Sequence, residues 1–146
     1  MKTLDPLDRE LLALLQANAR ESAARLARRL GVARTTVLAR LARLEQQGVI
    51  VGYTVRLGQE VEGAGLQAYV GITVQPRSGR DVVQRLSRMP EVRQLCTVSG
   101  EYDYVAWLRA GTPERLDALL DEIGEVEGVV KTTTSVVLAK RIDRVT

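Results

Sequence analysis

The first third of the chain carries apolar residues at helical spacing. A helix start is favoured by three residues: Asp5 as the N-cap, Pro6 as the first helical residue and Asp8 as an acid near the third helical position. The pattern predicts a first helix over about residues 6–18. Its apolar face is predicted to consist of Leu7, Leu11, Leu14 and Leu15.

Two further helices are predicted, with a very short turn between them. Ser22 is the predicted N-cap of the second helix and Gly31 its end, and a third helix then runs to Gly48. Two helices joined in this way cross steeply, which requires a small residue where they approach most closely. Ala27, Gly31 and Val37 have the spacing of a helix-turn-helix motif, as contact residue, turn and core residue.

Positive charge is concentrated in the same part of the chain. From Arg20 to Arg43 there are seven arginines and one acid, Glu21, a net charge of +6. Residues 1–60 carry a net +4 and residues 61–146 a net −1, so the two parts are expected to meet different partners. Such a density of arginine can track the phosphates of double-stranded DNA. The alternative is an ordinary three-helix bundle with a solvated arginine face.

The predicted DNA contacts lie on the second and third helices. Those near the N-terminus of the third helix are expected to meet base edges, and those further along it bases or phosphates. The predicted DNA-binding residues are Arg25, Arg28, Arg34, Thr35, Thr36, Arg40 and Arg43.

Two short segments separate the helices from the rest of the chain. Residues 49–58, "VIVGYTVRLG", are predicted to be extended, and to form a wing or pair with a partner chain. Residues 60–65, "EVEGAG", are glycine-rich and polar, and they are the predicted linker. The predicted domains are therefore 1–60 and 61–146.

The remainder of the chain alternates between strand and helix patterns. Apolar residues at every second position of 66–74 predict a half-buried strand, and a helix that ends at Pro90 follows it. The later predicted elements are strands at 92–99 and 104–110, a helix capped by Thr112, and a β-branched strand at 129–138.

The order strand, helix, strand, strand, helix, strand predicts the fold class. It is the ferredoxin-like plan, in which both helices pack on one face of an antiparallel sheet. We predict an α+β chain, with a winged helix-turn-helix domain followed by a ferredoxin-like βαββαβ sandwich. The other face of the sheet must meet water or another chain, and Tyr69 favours another chain. Cys96 is predicted to be buried, and Trp107 to be a core or interface residue.

Few residue types used in catalysis are present. The chain has no histidine, and Cys96 is its single cysteine, which excludes an intramolecular disulfide and a Cys/His zinc site. Glu101 and Asp103, in "VSGEYDYV", have the i, i+2 spacing that suits paired general acid/base work. Without a histidine or a metal set, this stretch does not favour catalysis. No catalytic residue, metal site or cofactor is predicted.

Hydropathy gives no sign of a membrane segment. No run approaches the roughly 20 apolar residues that a bilayer-spanning helix needs. The N-terminal stretch "MKTLDPLDRE" lacks the apolar core of a signal peptide. The expected location is the cytoplasm, with no membrane partner.

The ordered series of motifs resembles the Lrp/AsnC (feast/famine) family of bacterial and archaeal transcription regulators. The resemblance covers nearly all of the chain, and it is carried by "LDPLDRELL", "ARESAARLARRLGVARTTVLARLARLEQQGVIVGY", "MPEV", "TVSGEYDYV" and "GVVKTTTSVVL". It implies an N-terminal domain that binds DNA. It also implies a C-terminal domain that assembles homodimers into tetramers or octamers and senses an amino acid.

The same resemblance implies an effector pocket between subunits, at the loop "SGEYD". The effector residues that it implies are Gly100, Glu101, Tyr102, Asp103, Thr132 and Thr134. Asp103 can pair with an ammonium group, and backbone N–H groups beside Gly100 can bind a carboxylate. The alternatives are a tight connection in which Asp103 bonds local backbone, and a plain strand at "KTTTS".

Two positions depart from the family pattern. Ala33 stands where serine usually caps the third helix, so the cap comes from Thr35 or Thr36 or is missing. Arg25 replaces the acid of a capping box and adds charge that can face phosphates. Two other functions stay open: an architectural DNA-binding protein without an effector, and an enzyme resembling the sirohaem decarboxylases, whose chemistry is thought to need histidines.

Overall fold

The computed structural model describes residues 3–58, 61 and 65–144, which divide into two compact units. One unit ends at Arg56, and the other runs from Leu57 to Arg144. Most of the predicted linker 60–65 lies outside the described residues.

The first unit contains the three predicted helices. They are α1 (Pro6–Ala17), α2 (Ala23–Leu30) and α3 (Arg34–Gln46). The start of α1 is a reciprocal cap, because Asp5 Oδ1 accepts a hydrogen bond from the Asp8 N–H at 2.8 Å. In return, Asp8 Oδ2 accepts one from the Asp5 N–H at 3.3 Å.

The helix ends around the turn differ in their capping. Ser22 Oγ accepts a hydrogen bond from the Arg25 N–H at 3.2 Å, which caps α2 as predicted. Gly31 ends α2 with φ 67, in the left-handed region that glycine adopts without steric cost. Ala33 precedes α3, and no side chain caps that helix. Of the two predicted alternatives, a cap from Thr35 or Thr36 and a missing cap, the structure shows the missing cap.

The core of the first unit comes from one face of each helix. Its buried side chains are Leu11, Leu15, Leu26, Ala27, Val37 and Leu44. Ala27 is the small residue where α2 and α3 meet, and its carbonyl accepts the Val32 N–H at 3.0 Å, which closes the turn. Burial of each large aliphatic side chain contributes about 1.5–3 kcal/mol.

An extended segment follows α3. Residues 51–58 pair with no strand in the described part of the chain. Four alternate side chains are exposed, by 52% to 95%: Val51, Tyr53, Val55 and Leu57. The Tyr53 hydroxyl donates a hydrogen bond to Glu45 Oε1 at 2.8 Å, which ties the segment to the end of α3.

The second unit is a four-stranded antiparallel sheet with two helices, as predicted. In chain order its elements are β1 (Leu66–Val74), α4 (Gly79–Leu86), β2 (Val92–Thr97), β3 (Tyr104–Ala110), α5 (Pro113–Gly124) and β4 (Val129–Val136). The strand order in the sheet is β2-β3-β1-β4, so β2 and β4 are the edges.

The two faces of this sheet differ in what covers them. On the helix face, Val70 pairs with Ala106 and Ala68 with Leu108, and all four are fully buried. They pack with α4 and α5 residues in one core. On the open face, Tyr69 pairs with Trp107, and Tyr69 remains 52% exposed.

We expect Ala33→Ser to stabilise the protein by ~1 kcal/mol, because it supplies the missing cap of α3. The backbone of Ala33, at φ −70 and ψ 149, already matches that of the capping Ser22, at φ −69 and ψ 151. The matched control is Ser22→Ala, which is expected to destabilise by a similar ~1 kcal/mol. Urea unfolding of the three proteins measures both changes. A destabilised Ala33→Ser variant would contradict the prediction.

Candidate DNA interface and effector pocket

The surface of α3 that faces away from the core carries small and apolar side chains. Val37 and Leu44 are buried against the other helices, so the opposite side of the helix is the free one. Its exposed residues at helical spacing are Thr35, Leu38, Ala39, Ala42 and Gln46. Small side chains allow a helix backbone to come close to base edges, and apolar ones can contact thymine methyl groups.

Sequence reasoning missed Leu38, Ala39 and Ala42. The signal was available, because these residues lie opposite the apolar stripe of the same helix. Their side chains carry no charge and no hydrogen-bonding group, so a pattern of basic residues does not indicate them.

The predicted basic contacts fall into two groups in the structure. Arg28 and Arg34 are exposed, on α2 and at the first position of α3. Arg25 is also exposed, with its Nη1 3.6 Å from Glu21 Oε1. At that distance the pair is weak, and the guanidinium can turn towards a phosphate.

Arg40 and Arg43 form the second group, because both are held by acids of α1. Arg43 Nη2 donates to Asp8 Oδ2 at 2.6 Å, and Arg40 Nη1 donates to Asp8 Oδ1 at 3.1 Å. Arg40 also donates to Asp5. The Asp8 side chain is 1% exposed. We call these four residues the Asp–Arg cluster.

The cluster favours the charged forms of Asp5 and Arg40. The hydrogen bond from Arg40 lowers the pKa of the Asp5 carboxyl below its usual value, and the bond from the Asp8 backbone N–H lowers it further. The bonds to Asp5 and Asp8 raise the pKa of Arg40. Because its folded-state pKa is depressed, Asp5 contributes stability at neutral pH that is lost as the pH falls through that pKa.

The cluster was also missed in the sequence. Asp5 and Asp8 were interpreted as a helix start, which is correct but incomplete. Their i, i+3 spacing on α1 matches the i, i+3 spacing of Arg40 and Arg43 on α3. That match was the available signal.

In the second unit, the loop after β2 lies against the open face of the sheet. The Tyr102 ring covers Gly71 so closely that a Cβ on Gly71 would lie 2.7 Å from ring atoms. Gly100 has φ 107, a backbone conformation that side chains strongly disfavour. Glu101 is exposed beside them.

Asp103 is fixed by three hydrogen bonds to the backbone of the same unit. Its N–H donates to the Ile72 carbonyl at 3.0 Å, and its own carbonyl accepts from the Val98 N–H at 3.1 Å. Asp103 Oδ2 accepts from the Val74 N–H at 2.9 Å. The predicted alternative was a tight connection in which Asp103 bonds local backbone. Only its main-chain bond with Val98 is local, because the side chain bonds Val74, 29 positions away, and the carboxylate is still exposed.

An open pocket of about 360 Å³ adjoins Asp103. Its lining residues include Arg77, Thr97 and Tyr104, which sequence reasoning did not select. Among the implied effector residues, Asp103 lines this pocket, while Gly100, Glu101 and Tyr102 do not.

Arg77 occupies an unusual backbone position in that pocket. It follows Pro76 in a turn closed by the Ser78 N–H and the Gln75 carbonyl at 3.1 Å, and its φ is 68. Glycine or asparagine usually takes this position, because a Cβ is strained there. A residue held in a strained conformation is a candidate for a binding role. No sequence signal pointed to it.

Thr132 and Thr134 lie on the helix side of the sheet. They pair with Ile72 and Val70, which are fully buried on that face. Thr133 pairs with Gly71 and therefore shares the open face with Tyr102. Within one chain, the structure does not bring the two threonines together with Tyr102.

The prediction that Cys96 is buried is wrong. Cys96 is exposed, because β2 is an edge strand and Cys96 pairs with Val105 on the open face. Trp107 lies on the same face and is half-buried.

Residues 3–58, 61 and 65–144 lack two kinds of feature. In those ranges, no helix is both long and apolar enough to cross a membrane. The same residues contain no cluster of three or more side chains suited to holding a metal ion.

Each of the two units matches a known protein family. Residues 4–51 match the family described as winged helix-turn-helix DNA-binding, and residues 67–146 match the Lrp/AsnC ligand binding domain. An HTH-type transcriptional regulator of Pyrococcus horikoshii, itself uncharacterized, is 36% identical over 137 residues, which cover 91% of each chain.

Solved structures show the same architecture. AsnC of E. coli has a TM-score of 0.90 at 25% identity, covering 99% of each chain. A feast or famine regulatory protein from M. tuberculosis, complexed with L-methionine, has a TM-score of 0.86 at 34% identity, covering 97% of this chain and 96% of that one. The chain therefore belongs to the Lrp/AsnC family of DNA-binding transcriptional regulators, with a ligand-binding domain after its winged helix-turn-helix.

Proposed function

We propose that the protein binds specific DNA sequences through α3, and that an amino acid bound in its second unit changes DNA occupancy or assembly. The observation that carries the DNA part is the free surface of α3, where small and apolar side chains lie between exposed arginines. This is the arrangement that a helix needs to enter the major groove while basic residues meet the phosphates.

Side chains on α3 contact bases, and side chains on α2 contact phosphates. Arg34 and Thr35, at the first turn of α3, are the residues that reach base edges, since arginine can donate two hydrogen bonds to guanine. Arg25 and Arg28 on α2 meet phosphates, which fix the position of the protein without reading sequence.

The pocket beside Asp103 suits an amino acid. It is lined by one acid, Asp103, and one base, Arg77, so it can pair with both the ammonium and the carboxylate of a zwitterion. Asp103 is fixed by its backbone bonds, which reduces the entropy lost when a ligand binds. The M. tuberculosis relative binds L-methionine, which supports an amino acid as the ligand class.

The open face of the sheet suits a second copy of the chain. Tyr69 and Trp107 lie at its centre, and aromatic residues are enriched in protein interfaces. The extended segment 51–58 adds four alternate exposed apolar side chains and a backbone that lacks a strand partner among the described residues. A homodimer covers both surfaces, and dimers assemble further into tetramers or octamers.

Arg34→Ala tests the role of α3 in reading sequence. We expect it to weaken binding to a selected DNA site by about 1–3 kcal/mol and to relax the preference at one base pair. The site is obtained by selection from random duplexes with the purified protein, and affinities are measured by fluorescence anisotropy. Arg80→Ala, on α4, is the matched control, because it removes the same charge from the other unit. If selection enriches no sequence, the protein is an architectural DNA binder.

Asp103→Asn tests the effector pocket. Screened against the twenty amino acids, the wild type is expected to gain about 2.7 kcal/mol of stability from one of them at 100 times its dissociation constant. The variant keeps the oxygen that accepts the Val74 N–H but loses the charge, so the thermal shift should disappear. Glu127→Gln, an exposed acid before β4, should leave the shift unchanged. A response that survives in Asp103→Asn removes Asp103 from the pocket.

Tyr69→Lys tests the open face as an interface. Burying a lysine ammonium between two sheets is costly, so the variant is expected to dissociate at protein concentrations where the wild type is dimeric or larger. Sedimentation velocity measures the change. The control is Gln84→Lys, which adds the same charge on an exposed position of α4. An unchanged sedimentation coefficient for Tyr69→Lys would exclude this face as the contact.

A further inference from the structure

Two acids that precede the helix-turn-helix in the sequence neutralise part of its positive charge in the folded protein. The stretch from Arg20 to Arg43 carries a net +6 in sequence. The carboxylates of Asp5 and Asp8 contact two of its arginines, which leaves +4 when the two acids are counted. The electrostatic attraction to DNA is therefore weaker than the sequence alone indicates.

We propose that Asp8, together with Asp5, is a specificity-determining residue for DNA binding. It holds Arg40 and Arg43 against α1 and so withholds two positive charges from the DNA phosphates. This inference rests on DNA binding by α3, but it concerns residues that point away from the surface that reads bases.

The geometry indicates that Asp8, more than Asp5, fixes the positions of Arg40 and Arg43. Both of its oxygens are used, Oδ1 by Arg40 at 3.1 Å and Oδ2 by Arg43 at 2.6 Å. Its side chain is 1% exposed and also accepts the Asp5 N–H, so it cannot follow a guanidinium out to solvent. Arg43 is 45% exposed, so its guanidinium is accessible to an anion from solvent once it is released.

Withheld charge matters for specificity because phosphate contacts carry no sequence information. Each one strengthens binding to every sequence alike, while base contacts on α3 separate the right site from the rest. A protein that gives up two phosphate contacts loses affinity for random DNA, and its base readout then decides a larger share of where it binds.

Asp8→Asn tests the proposal in the full-length protein. Asparagine keeps an oxygen for the Asp5 N–H and removes the charge that holds Arg43. Binding to a random-sequence duplex is measured over a series of salt concentrations. One added phosphate contact steepens the slope of log affinity against log salt by about 0.9, which is about eightfold tighter binding at ~0.1 M salt. The variant with both Asp5→Asn and Asp8→Asn should gain about 1.8 in slope.

Glu10→Gln is the matched control. Glu10 is an exposed acid on the same helix, and its loss changes net charge equally without touching an arginine of the cluster. Adding Arg43→Gln to Asp8→Asn should return the slope to that of the wild type, because the released contact is then gone. A slope for Asp8→Asn equal to that of Glu10→Gln overturns the proposal, as does a shallower one.

Folding of each variant is checked by circular dichroism. If Asp8→Asn does not fold, Asp5→Asn decides, since asparagine is as good an N-cap as aspartate and the change weakens the hold on Arg40. A slope no steeper than that of Glu10→Gln then overturns the proposal. Failure of DNA binding itself would appear separately, as a wild type that binds no duplex at any salt concentration.

Discussion

Both helices of the second unit pack on one face of its sheet, and this constraint sorts the residues of every strand into two groups. Residues on the helix face, such as Val70 and Leu108, are fully buried and build the core. Residues on the open face, such as Tyr69 and Trp107, contribute little to that core and are free to form an interface. Because side chains alternate along a strand, a shift of one residue in register would exchange the two groups.

The residues of α3 are likewise sorted into three surfaces, each with different contacts. One packs in the core through Val37 and Leu44. Another carries the exposed residues that we propose for DNA binding. The third faces α1, and there Arg40 and Arg43 are bound to Asp8. A short helix of 13 residues is thus tied to its neighbours by both apolar and ionic contacts, which fixes the direction of its free surface.

The sequence predicted the elements and their order well, because periodicity and capping are local. The caps at Asp5, Ser22 and Thr112 are all present. It failed where the answer depends on residues far apart in the chain. The apolar neighbours of Cys96 in the sequence predict that it is buried. It is exposed because β2 lies at the edge of the sheet.

The candidate sites were predicted less completely for the same reason. Asp103 was selected, but Arg77, 26 positions away in the sequence, joins it through the fold alone. The pairing of Asp8 with Arg43 spans 35 positions and could not be deduced from charge counts. Composition shows how many charges a segment has, whereas only coordinates show which of them are already paired.

The hydrogen bond between Tyr53 and Glu45 connects the chain after α3 to the last turn of that helix. Glu45 is on the last turn of α3, and Tyr53 belongs to the extended segment. Partial desolvation and the hydrogen bond to the Glu45 carboxylate raise the pKa of Tyr53 above its usual value. The bond therefore limits the directions in which the chain can leave the last turn of α3.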